Sequence, residues 1–277
     1  MPYMPRTLLL LLLMSLSTPA LAQQESWKAP FPAHKIAGNL NYVGTEDLAC
    51  FLITTPEGHI LINSGLADSA LTIRESVNEL GYTLGDIKIL LTTQAHFDHV
   101  AALGEIQKLT RAEMFATEQD AAVLEDGGKS DPFLQEQYRF TPLEVDRRLK
   151  DGDTIRLGGT ELVVHLTPGH TKGSASYSMS VTEEGKKYSV VIANMGTVVM
   201  PLVGNSYYPR IAEDFAESFR VQKALAPDIW VAAHASQYDM REKYERGSFV
   251  DPEGYKRAVD RLEKLYLEQL AQERQEP

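Results

Sequence analysis

Between Tyr42 and Gly65 the chain reads YVGTEDLACFLITTPEGHILINSG, two blocks rich in Val, Ile, Leu and Phe on either side of Pro56-Glu57-Gly58. Apolar blocks bounding a Pro/Gly turn predict paired strands. A helical period follows: Leu71, Val77 and Leu80 fall close to one face and Gly81 stops the run, so a helix is expected over 67–80. Residues 87–92, IKILLT, form the unbroken apolar run of a strand buried on both faces. Residues 100–109 read as helical, 113–116 as extended and 117–124 as helical again. The polar segment EDGGKSDPFLQEQYRFTPLEVD, with its Gly127-Gly128 pair, has the length of a loop that covers a site. The second half repeats the theme, with strands over 154–157, 161–167, 175–180 and 188–193, a helix over 212–225 and a strand over 229–232. A charged helix over 252–272 closes the chain. Two strand-rich halves, each with helices, predict a layered α/β sandwich whose site lies where strand ends meet.

The N-terminal MPYMPRTLLLLLLMSLSTPALAQQ breaks this pattern. Arg6 gives a weak positive end, Leu8 to Leu16 an apolar stretch and Ala20-Leu21-Ala22 a small-x-small cleavage site, so residues 1–22 read as a secretory signal. The apolar run is well short of the roughly 20 residues that span a bilayer. A mature domain over 23–277 in the periplasm is expected. Cys50 is the only cysteine, inside the apolar ACFLITT, which leaves no internal disulfide and no zinc–thiolate cluster. With 43% hydrophobic and 23% charged residues in 277, the chain can bury a sizeable core. Its net charge of −11 drops to −12 once Arg6 is removed, which excludes nucleic acid and an anionic membrane as main partners. A small-molecule substrate remains, and a monomer is expected.

Candidate chemistry concentrates in TTQAHFDHV, just past the apolar run that ends at Thr92. In extended backbone, residues i and i+2 point the same way, so Gln94 and His96 can face one point while Asp98 and His99 turn toward a neighbouring one. Such a stretch can seat two metal ions side by side. Imidazole nitrogen and carboxylate oxygen are ligands that zinc accepts, and a catalytic ion takes about three from the protein, leaving a position for water. Two further histidines complete a set: His170 in LTPGHTKGS and His234 in WVAAHASQ, each after a predicted strand. A histidine alone in such a place is more often a hydrogen-bonded structural residue, and the H-x-D-H cluster reverses that weighting. His34, His59 and His165 lack such company and read as structural or surface residues.

QAHFDH, PGHTKGS and the late His234 resemble the ordered metal motifs of the metallo-β-lactamase superfamily. YVGTEDLACFLITTPEGHILINSG is similar to the early strands of the class B β-lactamases of the third subclass, and the resemblance runs from about Asn41 to His234. It implies an αβ/βα four-layer sandwich, two central β-sheets flanked by helices. It also implies a first zinc site of Gln94, His96 and His170 and a second of Asp98, His99 and His234, with Asp98 catalytic. The reaction implied is hydrolysis of the β-lactam amide of penicillins, cephalosporins and carbapenems, conferring antibiotic resistance, with zinc lowering the pKa of its bound water to about 7. In the third subclass a histidine, not a cysteine, completes the second site.

The chain departs from the pattern at two points. Gln94 stands where the family has a histidine, as in a minor branch of the subclass; an amide oxygen binds zinc more weakly than imidazole, so the second site is expected to be the stronger. Asn63-Ser64-Gly65 replaces a common Asp-Gly-Gly, and the lost charge is expected to act on metal affinity from outside the ligand sphere. Lactonases, phosphodiesterases and thioesterases of the same superfamily typically carry a metal-bridging aspartate between the last two histidines. Here VVIANMGTVVM places Asn194 and Met195 there, with Thr197 a candidate for the substrate carboxylate and Met195 its neighbour in the substrate site. A lactonase or thioesterase, and an exported zinc-binding protein without catalysis, are the competing expectations.

Overall fold

The structure is a computed structural model that describes residues 25–131 and 136–275. The expected signal over 1–22 lies outside the described residues. A seven-stranded sheet holds β1 (His34–Ala37), β2 (Leu40–Tyr42), β3 (Phe51–Thr55), β4 (Gly58–Ile62), β5 (Ile87–Leu91), β6 (Glu113–Thr117) and β7 (Arg147–Leu149) in sequence order. A five-stranded sheet runs β12-β11-β10-β9-β8, from β8 (Thr154–Leu157), β9 (Thr160–Leu166), β10 (Ala175–Glu183), β11 (Lys186–Ala193) and β12 (Ile229–Ala232). β3 and β4 pair antiparallel around 56–57, as the turn signal predicts.

The two-residue period of a strand divides the apolar residues between two cores. Phe51, Ile53, Ile60, Ile62, Ile89 and Leu91 face the second sheet and meet Val164, Tyr177 and Ile192. Their neighbours Leu52, Leu61 and Leu90 face the other way, onto α1 (Ser69–Glu79) and α3 (Leu103–Thr110) through Ile73, Val77 and Ile106. The outer side of the second sheet is covered by α5 (Ile211–Leu225) and α7 (Pro252–Glu273), whose Phe215, Phe219, Tyr255 and Tyr266 are continuous with the same apolar cluster. The layers are therefore helix, sheet, sheet, helix. α4 (Glu118–Asp126) follows β6, and the short α6 (Met240–Arg246) precedes α7. Among the described residues no helix is long and apolar enough to cross a membrane.

One expected helix divides. Residues 100–109 form the end of α2 (Phe97–Val100) and then α3, with a turn at 101–102. A continuous helix would give the His99 carbonyl to residue 103. Instead it accepts the backbone N–H of Ser64 at 2.7 Å, and Ala101 N–H reaches Gly65 O at 3.1 Å. The chain after β4 thus ends the first helix by taking one of its acceptors and sharing one of its donors. The strands β1 and β7 and helix α6 carry no sequence signal strong enough to mark them, being short, charged or both.

The strands that precede the candidate ligands all stop at one edge of the sandwich. β5 leads to Gln94, β9 to His170, β11 to Asn194 and β12 to His234. Tyr177, fully buried on β10, donates its hydroxyl to Thr92 O at 2.7 Å and so ties the second sheet to the segment that leaves β5. Tyr177→Phe removes that donor and leaves a buried carbonyl short of a partner; a loss of about 1–3 kcal/mol is expected, read as a lower urea midpoint with unchanged slope.

Candidate metal centre

The segment after β5 is fixed before it reaches any ligand. The Thr92 hydroxyl donates to Gln94 O at 2.7 Å, and Thr93 O accepts the N–H of Ala175 at 2.9 Å. His96 keeps extended backbone (φ −94°, ψ 149°), and helix α2 begins at the next residue. His96 therefore continues the alternation expected from Gln94, while Asp98 and His99 sit in a helical turn that swings them to a second point.

A pair and a set of three candidate ligand atoms result. His96 Nδ1 lies 3.1 Å from His170 Nε2. Asp98 Oδ2 lies 3.3 Å from His99 Nε2 and 3.5 Å from His234 Nε2, and one ligand atom from each of these three residues falls within 4.8 Å of the others. Two ligands on one tetrahedral zinc, each at about 2.0–2.1 Å, stand roughly 3.3–3.4 Å apart. These separations match that spacing. His99 is fully buried with neither ring nitrogen hydrogen-bonded, the state of a side chain shaped for an ion. The donor set of imidazoles and one carboxylate suits zinc.

Partners on the far ring nitrogens aim the near ones. His170 Nδ1 lies 2.7 Å from Thr197 O, and a carbonyl only accepts, so the proton is on Nδ1 and the Nε2 lone pair faces His96. His234 Nδ1 lies 3.1 Å from Asp47 Oδ2, which leaves Nε2 to face Asp98. Asp47 is itself held by Ser236 N–H at 2.9 Å and Trp27 Nε1–H at 3.2 Å.

The electrostatics follow from burial and pairing. Burial and the adjoining His96 ring lower His170 to about 3, and burial lowers His99 against the pull of Asp98, so both are neutral imidazoles near pH 7. Burial would lower His234 as well, but its hydrogen bonds and charge pairing with Asp47 and Asp98 outweigh that and lift it to about 9. Burial would raise Asp98, and His99 and His234 overcome it, holding the carboxylate well below its usual range. Asp98, His99 and His234 would hold a metal ion at the place where the His234 Nε2 proton faces Asp98, and Asp47 would keep the Nδ1 proton.

Gln94 takes a different course. Its Oε1 accepts from Asn194 Nδ2 at 2.8 Å, so the structure places Gln94 in a pocket shared with His170 with its oxygen engaged by the residue after β11. Met195 is buried, and its carbonyl accepts from Gln237 Nε2 at 3.0 Å; Thr197 is exposed. Gln94, His170, Met195, Thr197 and His234 line a common pocket. Asn63, in the left-handed region (φ 64°), accepts Thr93 N–H at 2.9 Å and donates to Ala49 O at 3.4 Å. It acts on the loop backbone and touches no ligand side chain.

Of the other histidines, His34 Nδ1 lies 2.8 Å from Pro32 O, His59 Nδ1 accepts from Thr55 N–H at 3.3 Å and His165 Nε2 lies 2.7 Å from Ser178 Oγ, all outside the cluster. The polar loop after α4 does reach the site. Tyr138 stacks on Phe97 at 4.5 Å between ring centroids, and Asp131 Oδ2 comes within 3.7 Å of His96 Nε2.

Sequence reasoning missed Asp47, Asp120 and Trp27. Asp120 is buried in the first turn of α4, where it accepts from Ala95 N–H (2.9 Å), Thr171 Oγ1 (3.0 Å) and Gly173 N–H (3.0 Å). An acidic residue in a first helical turn ordinarily complements the helix dipole at the surface, and nothing local marks this one as buried.

Residues 44–181 match the family model described as the metallo-beta-lactamase superfamily. Among solved structures, the class B3 di-zinc metallo-beta-lactamase LRA-12 from an Alaskan soil metagenome is 47% identical, with 88% of this chain and 96% of that one aligned at a TM-score of 0.84. GOB-18 from Elizabethkingia meningoseptica is 42% identical over 90% and 95% of the two chains (TM-score 0.84). FEZ-1 from Legionella gormanii is 41% identical over 89% and 98% (TM-score 0.86). A hydroxyacylglutathione hydrolase of Cereibacter sphaeroides is 26% identical over 161 residues, 58% of this chain; the chain spans about half the length of the curated relatives it matches.

Asp47→Ala removes the acceptor that fixes the His234 ring. Zinc affinity at the Asp98–His99–His234 cluster is expected to fall about 10- to 100-fold, measured by competition with a chromophoric chelator.

Proposed function

The chain belongs to the metallo-beta-lactamase superfamily, and we propose that within it the protein is an exported, periplasmic zinc β-lactamase of the third class B subclass, acting on penicillins, cephalosporins and carbapenems. The observation that carries this reading is the buried Asp98–His99–His234 cluster with His234 aimed by Asp47. Three solved class B lactamases that align over nearly their whole length, at 41–47% identity, support it.

Bound zinc supplies a Lewis acid for the amide carbonyl and a water of lowered pKa. Asp98, His99 and His234 would hold one ion, and His96 and His170, with Gln94, the other. Asp98 keeps its charge, so it can also accept a hydrogen bond from the attacking water and set its direction. Thr197, exposed and bearing the carbonyl that orients His170, offers a hydroxyl to the carboxylate of a β-lactam, and buried Met195 lines the same pocket. Water is limited on one side by Trp27 and Phe97, whose rings stand 6.2 Å apart, with Trp27 5.9 Å from His234.

The hydroxyacylglutathione hydrolase relatives favour a second reading, a thioesterase. It is the weaker because Asn194 stands where such hydrolases carry a bridging aspartate, and because those matches cover only part of either chain.

Turnover of a penicillin, a cephalosporin and a carbapenem is expected, abolished by chelator and restored by zinc. Cleavage of a hydroxyacyl thioester or a lactone without β-lactam turnover sinks the lactamase reading, and zinc binding with no turnover of any of them supports a binding protein instead. Replacing Gln94 by histidine supplies an imidazole donor, and Gln94→His is expected to raise first-site zinc affinity by at least tenfold in the same chelator competition. Unchanged stoichiometry and affinity would place Gln94 outside that site.

A further inference from the structure

The amide of Gln94 does not stand alone. Asn194, buried directly after β11, has a side-chain NH2 with two hydrogens, and both are engaged. One goes to Thr93 O at 3.0 Å and the other to Gln94 Oε1 at 2.8 Å. Thr93 O is a carbonyl and can only accept, so the orientation of the Asn194 amide is fixed, and the atom that Gln94 presents to it must be its oxygen. That oxygen is the only atom of a glutamine side chain with a lone pair suited to zinc.

The clasp is anchored from outside. The backbone of Asn194 donates its N–H to Ser176 Oγ at 2.9 Å and accepts from Gln222 Nε2 of α5 at 2.7 Å. Gly196, two residues on, lets the backbone pass close to both partners: a Cβ there would lie 2.4 Å from His170 Cβ and 2.8 Å from Asn194 Oδ1. Asn194 is therefore held in register by both faces of its strand end, and Gln94 is the partner that must yield when an ion enters.

We infer that Asn194 is a positioning residue that keeps the first zinc site weak by holding Gln94 Oε1 in a hydrogen bond, so that the pair, and not Gln94 alone, sets first-site affinity. The inference rests on the zinc reading above. A hydrogen bond from an N–H takes one lone pair of the amide oxygen and lowers its basicity, and turning the oxygen toward His96 and His170 leaves a buried N–H unpaired. An aspartate at 194 has no such N–H to offer. A glutamine at 94 and an asparagine at 194 are thus chemically matched, and each stabilises the other in a metal-free arrangement.

Removing the clasp is structurally mild, because Thr93 O keeps the N–H of Ala175. Asn194→Ala is expected to tighten first-site zinc about threefold to tenfold, the worth of one net hydrogen bond, with second-site affinity unchanged as the internal control. Asn194→Ser, one bond shorter, serves as the second variant should the alanine protein fold poorly. Stepwise chelator competition on the intact protein reads both affinities without reference to turnover. The gain must disappear when Asn194→Ala is placed in a Gln94→Ala background, as a coupling through Gln94 requires. Unchanged or weaker first-site binding with the second site intact overturns the proposal, as does a gain that persists without Gln94. No zinc at either site in the unaltered protein overturns the zinc reading itself.

Discussion

The arrangement of the site depends on one buried carboxylate that is not itself placed among the metal ligands. Asp120 accepts the N–H of Ala95 with one oxygen, which also takes the Thr171 hydroxyl, and the N–H of Gly173 with the other. Ala95 lies between Gln94 and His96, and Thr171 and Gly173 follow His170 in the same turn, so a single side chain brings two loops from different sheets to one place. Burial raises Asp120 to about 6, while the donors from Ala95, Gly173 and Thr171 and the nearby His96 favour the charged form. Gly173 has to be a glycine for the contact to form, since a Cβ there would fall 2.6 Å from Asp120 Cγ. The 3.1 Å approach of the His96 and His170 nitrogens follows from this clamp and the Tyr177 bond to Thr92 O.

Around that clamp the ligands divide by how each is aimed. His170 is set by a backbone carbonyl and His234 by a carboxylate; burial and the His96 ring take His170 down to about 3 against the pull of its carbonyl, while Asp47 and Asp98 overcome burial and lift His234 to about 9. The Asp98 cluster therefore has an electrostatic well that favours a cation, whereas the His96–His170 pair, a hydrogen bond between two ring nitrogens at 3.1 Å, has no carboxylate between them. A divalent ion gains more from the former, because it meets a fixed negative charge there.

Much of this was legible in the sequence because strand and helix periods act locally. The strand over 229–232 appears with the bounds its apolar run indicates, and the final helix runs from Pro252 as expected. The meeting of Asp98, His99 and His234, and of His96 with His170, was legible in part for the same reason, since each of these residues follows a strand end. What the sequence hid was set by contacts distant along the chain. The helix over 100–109 divides because Ser64 takes the His99 carbonyl, and Asp47 becomes a partner of His234 across 187 positions. No window of the sequence contains both members of either pair.

Asn63 shows how such contacts change the meaning of a substitution. From the sequence alone, the loss of an aspartate beside the metal loops reads as a loss of charge. In the fold, Asn63 sits in a left-handed conformation that asparagine tolerates better than most residues, and its side chain serves two masters of opposite polarity. Its oxygen accepts from Thr93 N–H, and its nitrogen donates toward Ala49 O and Thr93 Oγ1. A carboxylate could keep the first contact and would place a second acceptor against Ala49 O. The neutral amide thus fits a position where the loop needs both a donor and an acceptor. Asn63 and Asn194 both act on the backbone at Thr93, and Asn194 also on the amide of Gln94, so the neutral amides adjust where this loop sits, while Asp120 ties the loop to the turn after His170.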